Sequence, residues 1–195
     1  MNEYRIKKVE NEDIKWEDIE GVGVITAPWR EYPLVVNTLA KITYNDEKIF
    51  VRLETEETDI TAVHTQDNSQ VCEDSCMEFF FRPNITDKRY FNFEINPLGT
   101  LHLAMGKDRY DREKISFDRS MFNIKTYVVN TGWIAEFEIP FDFINKFTGF
   151  SNTCYGNFYK CGDLTDNPHY CVWNMVETPE PDFHQFRYFG RFIFE

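Results

Sequence analysis

Two short apolar segments of the chain carry polar residues on one of their two alternating faces, with Phe80 among them. In Cys76-Met77-Glu78-Phe79-Phe80-Phe81-Arg82, Glu78 and Arg82 oppose Met77, Phe79 and Phe81; in Tyr90-Phe91-Asn92-Phe93-Glu94-Ile95-Asn96, Asn92, Glu94 and Asn96 oppose Phe91, Phe93 and Ile95. Side chains of a strand alternate between faces, so two paired segments that hide their apolar sets together also bring their polar sets together. Glu78 then stands opposite Asn92 or Glu94. Two carboxyl groups that close repel one another and require a partner: Arg82, Arg52, a metal ion or a polar ligand. A ledge of carboxyl and amide groups suits a molecule rich in hydroxyls. The same pair of carboxyls could instead hydrolyse a glycosidic bond, at about 5 Å separation for retention or roughly 6.5–9.5 Å for inversion. The plain alternative is a solvated polar face on a half-exposed sheet. A second feature is Trp173-Asn174, just before Glu177-Thr178-Pro179-Glu180-Pro181-Asp182. An indole stacks on the C–H face of a sugar ring while the neighbouring amide binds its hydroxyls.

The elements that must position these residues are strands. Apolar/polar alternation in short runs broken by turn residues dominates the chain, and helical periodicity is scarce. Strands are predicted over 35–44, 48–55, 60–65, 76–82, 89–96, 100–105, 156–161 and 189–194. A hairpin is predicted from 124–130 and 133–139, closed by Thr131-Gly132. One or two helical turns follow Pro140 over 141–147, and 106–120 reads as a long charged loop. Eight to ten such strands, each with one apolar face to hide, predict a single all-β domain over 1–195: an antiparallel two-sheet sandwich of immunoglobulin-like form, with a closed barrel as the alternative. Trp133, inside an alternating strand, belongs to the core; Trp29 could be core or site, and Trp16 is expected to cap an edge of the sandwich.

Composition narrows the function. The chain has 195 residues, 42% hydrophobic and 17% aromatic, enough for a core and unlike a disordered segment. Acidic residues outnumber basic ones 33 to 21, for a net charge of −12, the wrong sign for binding a phosphate backbone. No apolar run reaches the roughly 20 residues of a membrane span. The amino terminus lacks the apolar stretch of a signal peptide, which points to the cytoplasm unless a signal was removed. Five irregularly spaced cysteines read as reduced thiols, with one disulfide in an exported protein as the alternative. His64, His102, His169 and His184 show no metal-ligand spacing, and HExxH, GxSxG, P-loop and GxGxxG patterns are absent. The acidic stretches 54–59 and 72–74 could offer oxygens to calcium, or be solvated loop charge.

The run Glu73-Asp74-Ser75-Cys76-Met77-Glu78-Phe79-Phe80-Phe81-Arg82-Pro83, with Tyr90 to Thr100 after it, resembles the family 9 carbohydrate-binding modules, and more closely the family 9-like branch of the DOMON superfamily. Trp173-Asn174, Pro181-Asp182-Phe183-His184 and Tyr188-Phe189-Gly190-Arg191 fit the same branch, and the likeness runs from about Thr43 to the C-terminus. The resemblance implies a β-sandwich that binds the end of a saccharide non-catalytically on a concave sheet face, between aromatic rings and beside charged or amide groups, with structural calcium common but no cofactor required. It assigns Trp173 to the ring, Asn174 to the adjacent amide, Glu78 to the acidic position, and Asn92, Glu94 and Asn96 to polar positions of the next strand; Arg52 and Arg82 join the expected site as the cationic partners the paired carboxyls require. Val71-Cys72 stands where a second ring is expected, so Trp29, Tyr110 or another aromatic would have to supply it. The alternatives are a glycoside hydrolase or its accessory domain using Glu78 and Glu94, or a DOMON-type domain binding a protein or haem through such residues as Met77, Met105, Met175 and His102. The expected partner is a carbohydrate rather than nucleic acid or membrane, with a weak homodimer allowed for.

Overall fold

A computed structural model describes residues 1–10 and 12–195. Its strands, in chain order, are β1 (Glu3–Ile6), β2 (Gly21–Gly23), β3 (Thr38–Tyr44), β4 (Lys48–Thr55), β5 (Cys76–Arg82), β6 (Tyr90–Ile95), β7 (Leu101–Gly106), β8 (Arg112–Lys114), β9 (Lys125–Val129), β10 (Gly132–Pro140), β11 (Thr153–Cys161), β12 (Tyr170–Val172) and β13 (Gly190–Phe194). One short helix, α1 (Phe141–Asn145), follows β10. The larger sheet runs β1-β13-β11-β5-β6-β7-β8, with β12 added beside β11; the smaller runs β2-β3-β4-β10-β9. Neighbouring strands are antiparallel apart from β1 and β13, which run parallel. The expected sandwich is what forms. No helix among the described residues is long and apolar enough to cross a membrane.

The sandwich interior follows from alternation. Met77, Phe79 and Phe81 of β5 meet Phe91, Phe93 and Ile95 of β6, Phe158 of β11 and Phe192 of β13 in one buried cluster with Ile49, Val51 and Leu53 of β4 and Trp133, Ala135, Phe137 and Ile139 of β10. The Phe79 ring stacks on Phe158 at 5.0 Å and on Phe81 at 5.2 Å. Such ring pairs contribute about 0.5–1.5 kcal/mol each beyond their burial. The β9–β10 hairpin turns at Gly132, whose φ of +153° suits glycine and where a Cβ would lie 1.8 Å from the Thr55 carbonyl oxygen.

The outer face of the larger sheet is also buried, which alternation alone does not announce. Cys76 and Phe80 of β5, Tyr90 of β6, and Tyr159 and Cys161 of β11 lie beneath a second apolar cluster with Trp29, Val71, Val172, Val176, Phe183 and Phe189. Phe183 stacks flat on Tyr159 at 4.1 Å, and the Trp29 ring meets Phe183 and Tyr170. The indole N–H of Trp29 donates to the Thr178 carbonyl at 2.9 Å, tying one covering segment to another.

Several local expectations are corrected. Residues 60–65 form no strand. Side chains hold that backbone instead: Ser75 Oγ accepts from Thr61 N–H, and the Asp74 carboxylate accepts from Val63 and His64 N–H, each at 3.0 Å. The charged stretch 106–120 is partly ordered into β8, which pairs with β7, and β1, β2 and β12 arise where no strand is predicted.

A charged network crosses the interior. Lys160, fully buried on the inner face of β11, donates to the Cys161 carbonyl at 2.7 Å and to His169 Nε2 at 2.8 Å, and lies 3.1 Å from Glu57 Oε2. Trp133 Nε1–H donates to the same carboxylate at 2.9 Å. All three ammonium protons thereby have acceptors, and the two sheets are joined by charge as well as by packing. Glu57→Ala should cost about 3–5 kcal/mol in chemical denaturation, because it strands the buried ammonium. The double variant Glu57→Gln/Lys160→Met should recover much of that loss.

Candidate functional site

Register builds the site. Glu78 lies directly opposite Glu94 on β6 and opposite Tyr159 on β11, while Cys76 lies opposite Cys161. Glu94 in turn faces His102 on β7. The apposed carboxyls are thus real, and both residues are buried, at 3% and 5% exposure. The covering segments leave one opening above them, a cavity of about 280 Å³. Glu78, Glu94 and Cys161 lie at its sheet side; Cys72, Glu73, Asp163, Arg109, Arg112 and His184 surround it, and Tyr170 and Phe183 supply aromatic wall.

Each polar group there has a partner that fixes its state. Asn92 Nδ2 donates to Glu94 Oε1 at 2.7 Å, and the Arg112 guanidinium lies 3.7 Å from the same oxygen. Arg112 also donates to His184 Nε2 at 2.7 Å, which makes that nitrogen an acceptor and leaves the proton on Nδ1, 2.9 Å from the Tyr90 hydroxyl. His184 is accordingly held neutral: burial, then Arg112 and Arg109, push it down to about 2. Glu78 accepts from Cys161 Sγ at 3.1 Å. Burial first, and the Glu94 charge second, push the Glu78 carboxyl well above the usual carboxylate range. Asp163 is raised to about 6 by burial and by Glu94, against the hydrogen bond it receives from Tyr170. The buried Asn92 Oδ1 has no hydrogen-bond partner.

Of the residues expected to form the site, Glu78 and Glu94 reach the cavity, and Asn92 supports Glu94. The others are placed elsewhere. Trp173 packs in the sandwich interior, its ring stacked on Phe192 at 5.3 Å with planes 8° apart. Its edge rests on Gly190, where a Cβ would come within 2.3 Å. It cannot act as a sugar platform beside Glu78; its place on the inner side follows from the step in pleat after Val172, which belongs to the outer cluster. Asn174 staples backbone, accepting from Asn2 N–H at 2.7 Å and donating to the Tyr188 carbonyl. Asn96 does the same for a turn, accepting from Leu98 and Thr100 N–H and donating to Asp74 and the His64 carbonyl. Arg52 lies on the smaller sheet, paired with Glu54 and Glu136. Arg82 shares a face with Glu78 but turns to the Ile85 and Asp87 carbonyls of the following loop. Trp29 is roofing, and Tyr110 is almost wholly exposed.

The cation-site expectations meet similar commitments. In the acidic stretches, Glu54 pairs with Arg52, Glu57 with Lys160, Glu73 with His64, and Asp74 with backbone N–H groups. No three of these carboxylates converge among the described residues. Met77 and Met105 point into the sandwich, His102 bonds to the Ser69 carbonyl on the opposite face, and Met175 is exposed, so they form no axial pair for haem. All five cysteines are free thiols.

Arg112, Asp163, His184 and Cys161 were missed as site residues. Three of them come from segments without periodicity. Cys161 had a signal, the run Phe158-Tyr159-Lys160-Cys161 at the end of a strand, but nothing local marks which face it takes.

Comparison with known proteins decides the affiliation. The model of carbohydrate-binding family 9 matches residues 7–194. The chain belongs to carbohydrate-binding family 9. A Bacteroides uniformis ATCC 8492 protein assigned as carbohydrate-binding is 28% identical, with a TM-score of 0.89 over 100% of this chain and 99% of the other. A family 9 module from Caldicellulosiruptor kristjanssonii, solved in complex with cellotriose, has a TM-score of 0.65 at 12% identity, covering 100% and 94% of the two chains. A structure of a family 9 module from the same organism in complex with glucose gives 0.64 at 13%, covering 98% and 96%. These two show the shared fold. No curated protein sequence matches the chain.

The raised Asp163 carboxyl has a consequence for stability. The folded chain keeps a proton that the unfolded chain releases, so stability falls as pH rises from about 4 to about 6, and the cost of the buried charge is fully present at pH 7. Asp163→Asn should therefore stabilise the domain more at pH 7 than at pH 4, by roughly 1–3 kcal/mol, as read from denaturation midpoints at the two pH values.

Proposed function

We propose that this family 9 domain binds the end of a glycan, without catalysis, in the cavity over Glu78 and Glu94. The observation that carries the reading is the cavity itself: carboxyl, guanidinium and carboxylic-acid groups converge on a space lined on one side by Tyr170 and Phe183. A volume of about 280 Å³ lies just below the usual range for drug-sized ligands and suits one sugar ring. Glu94 and Asp163 accept hydroxyl protons, Arg109 and Arg112 donate to ring or hydroxyl oxygens, and protonated Glu78 can do either. Tyr170 takes the stacking role expected of Trp173. The saccharides held by the Caldicellulosiruptor modules make glucose and cellotriose the first ligands to try. Affinity in the range of roughly 1 μM to 1 mM is expected for one ring and several hydrogen bonds.

Calorimetric titration with glucose, cellotriose and a glycan panel tests the reading. Glu94→Ala and Tyr170→Ala should each weaken binding by about tenfold or more. Trp173→Phe should leave affinity within about twofold while lowering stability by about 1–3 kcal/mol. Loss of affinity in Trp173→Phe alone, with the cavity variants unaffected, would overturn the assignment.

The apposed Glu78 and Glu94 favour one second reading, a glycoside hydrolase, since burial raises the proton affinity of one carboxyl and the other sits beside a guanidinium. Release of glucose from cellotriose by the wild type but not by Glu78→Gln would establish it. The affiliation with DOMON-type domains is likewise part of this proposal, supported by the β-sandwich and by the Glu73–Pro83 run.

A further inference from the structure

The described residues contain one cluster of metal-ligating side chains, formed by Cys76, Glu78 and Cys161, and neither the family nor the sugar reading uses its sulfurs. Its geometry follows from strand pairing. Cys76 and Glu78 are two apart on β5 and share its outer face, and Cys161 of β11 is the direct cross-strand neighbour of Cys76. The two sulfurs and a carboxyl oxygen all lie within 4.8 Å of one another. Donors of a tetrahedral zinc ion, at 2.0–2.3 Å from the metal, stand about 3.5 Å from each other. Closing that gap takes side-chain adjustments of about an ångström on rigid, paired strands.

We infer that Cys76, Glu78 and Cys161 form a three-ligand site for zinc, with its fourth position open to the cavity. Two sulfur donors select a borderline or soft cation over calcium or magnesium. Glu78 and Cys161 both line the cavity, so a water or a ligand hydroxyl completes the tetrahedron from that side. Ions and ligands reach the site through the same opening. In the free protein the donors hold each other through protons, Cys161 Sγ donating to Glu78 Oε1. On coordination each thiol gives its proton to buffer as its sulfur–metal bond forms, Glu78 gives up any proton it holds as its carboxylate oxygen binds, and no oxidant or reductant is involved. The ion would replace those protons with a charge that suits the buried acidic pair.

The test uses Co2+ as a spectroscopic probe on the reduced full chain, without sugar, so its failure leaves the glycan reading standing. One equivalent should bind with thiolate-to-cobalt charge-transfer absorption, and Zn2+ should displace it. Cys161→Ser and Cys76→Ser should each weaken binding by at least about tenfold and diminish the band, whereas Cys154→Ser, a buried thiol outside the cluster, should do neither. Glu78→Gln, which keeps the shape of the side chain, serves if the cysteine variants fail to fold: it should keep the band and lose at least about tenfold in affinity. Absence of the band in the wild type, an undiminished band in the variants of the cluster cysteines, unchanged affinity in Glu78→Gln, or a Cys76–Cys161 disulfide in the isolated protein would each overturn the proposal.

Discussion

The polar row of the β5–β6 hairpin is kept from water by aromatic residues that arrive from elsewhere in the chain. Phe183 lies flat on Tyr159, Trp29 braces Phe183, and the Trp29 indole is tied to the Thr178 carbonyl. Without that roof, Glu78 and Glu94 would be ordinary solvated carboxylates on the back of a sheet. With it, proton affinities shift, His184 is neutral, and the space not filled by rings becomes a cavity with directional groups around it. The capacity of the site thus depends on a layer that contributes mainly apolar surface.

The larger sheet answers the problem of buried charge in two opposite ways. On its inner face, Lys160 and Glu57 remain an ion pair because every ammonium proton finds an acceptor and Trp133 helps to satisfy the carboxylate. On its outer face, Glu78 has the Glu94 carboxylate as neighbour and one thiol donor, so burial and that charge raise its proton affinity instead. The first arrangement is closed and holds the sheets together. The second leaves bonding capacity unspent and faces open space.

Alternation made the centre of the fold legible. The Phe sets of β5 and β6, the β9–β10 hairpin with its turn at Gly132, and the shared face of Glu78, Asn92 and Glu94 all follow from period-two patterning within single segments, whereas the register that sets Glu78 opposite Glu94 does not. The roof was not legible, because it is made by contacts across long sequence separations, such as Tyr159 with Phe183 and Trp29 with Tyr170. Its one local trace is the intrusion of Phe80 and Tyr90 into an otherwise polar face. Trp173 and Asn174 show the limit from the other side: side-chain type and a neighbouring loop suggested a binding ring, whereas the pleat after β12 decides that the ring goes inward. Arg112 and His184 meet only because β8 and the segment after Pro181 converge over β6, and no spacing records that.

The parallel pairing of β1 with β13 sets Glu3 beside Arg191 and Ile6 beside Phe194, a connection between residues some 188 positions apart. A ribosome adding about 5–20 residues per second needs roughly 10–40 s to deliver the second strand after the first. Throughout that time β1 lacks its strand partner, although Tyr4 can already bond to Ile42 of β3, and the rim of β13 that it will cover does not yet exist. The pairing of β1 with β13 is therefore among the last contacts the domain can make. That pairing brings Tyr4 against Trp173 and Phe192, so β1 completes the packing around the indole.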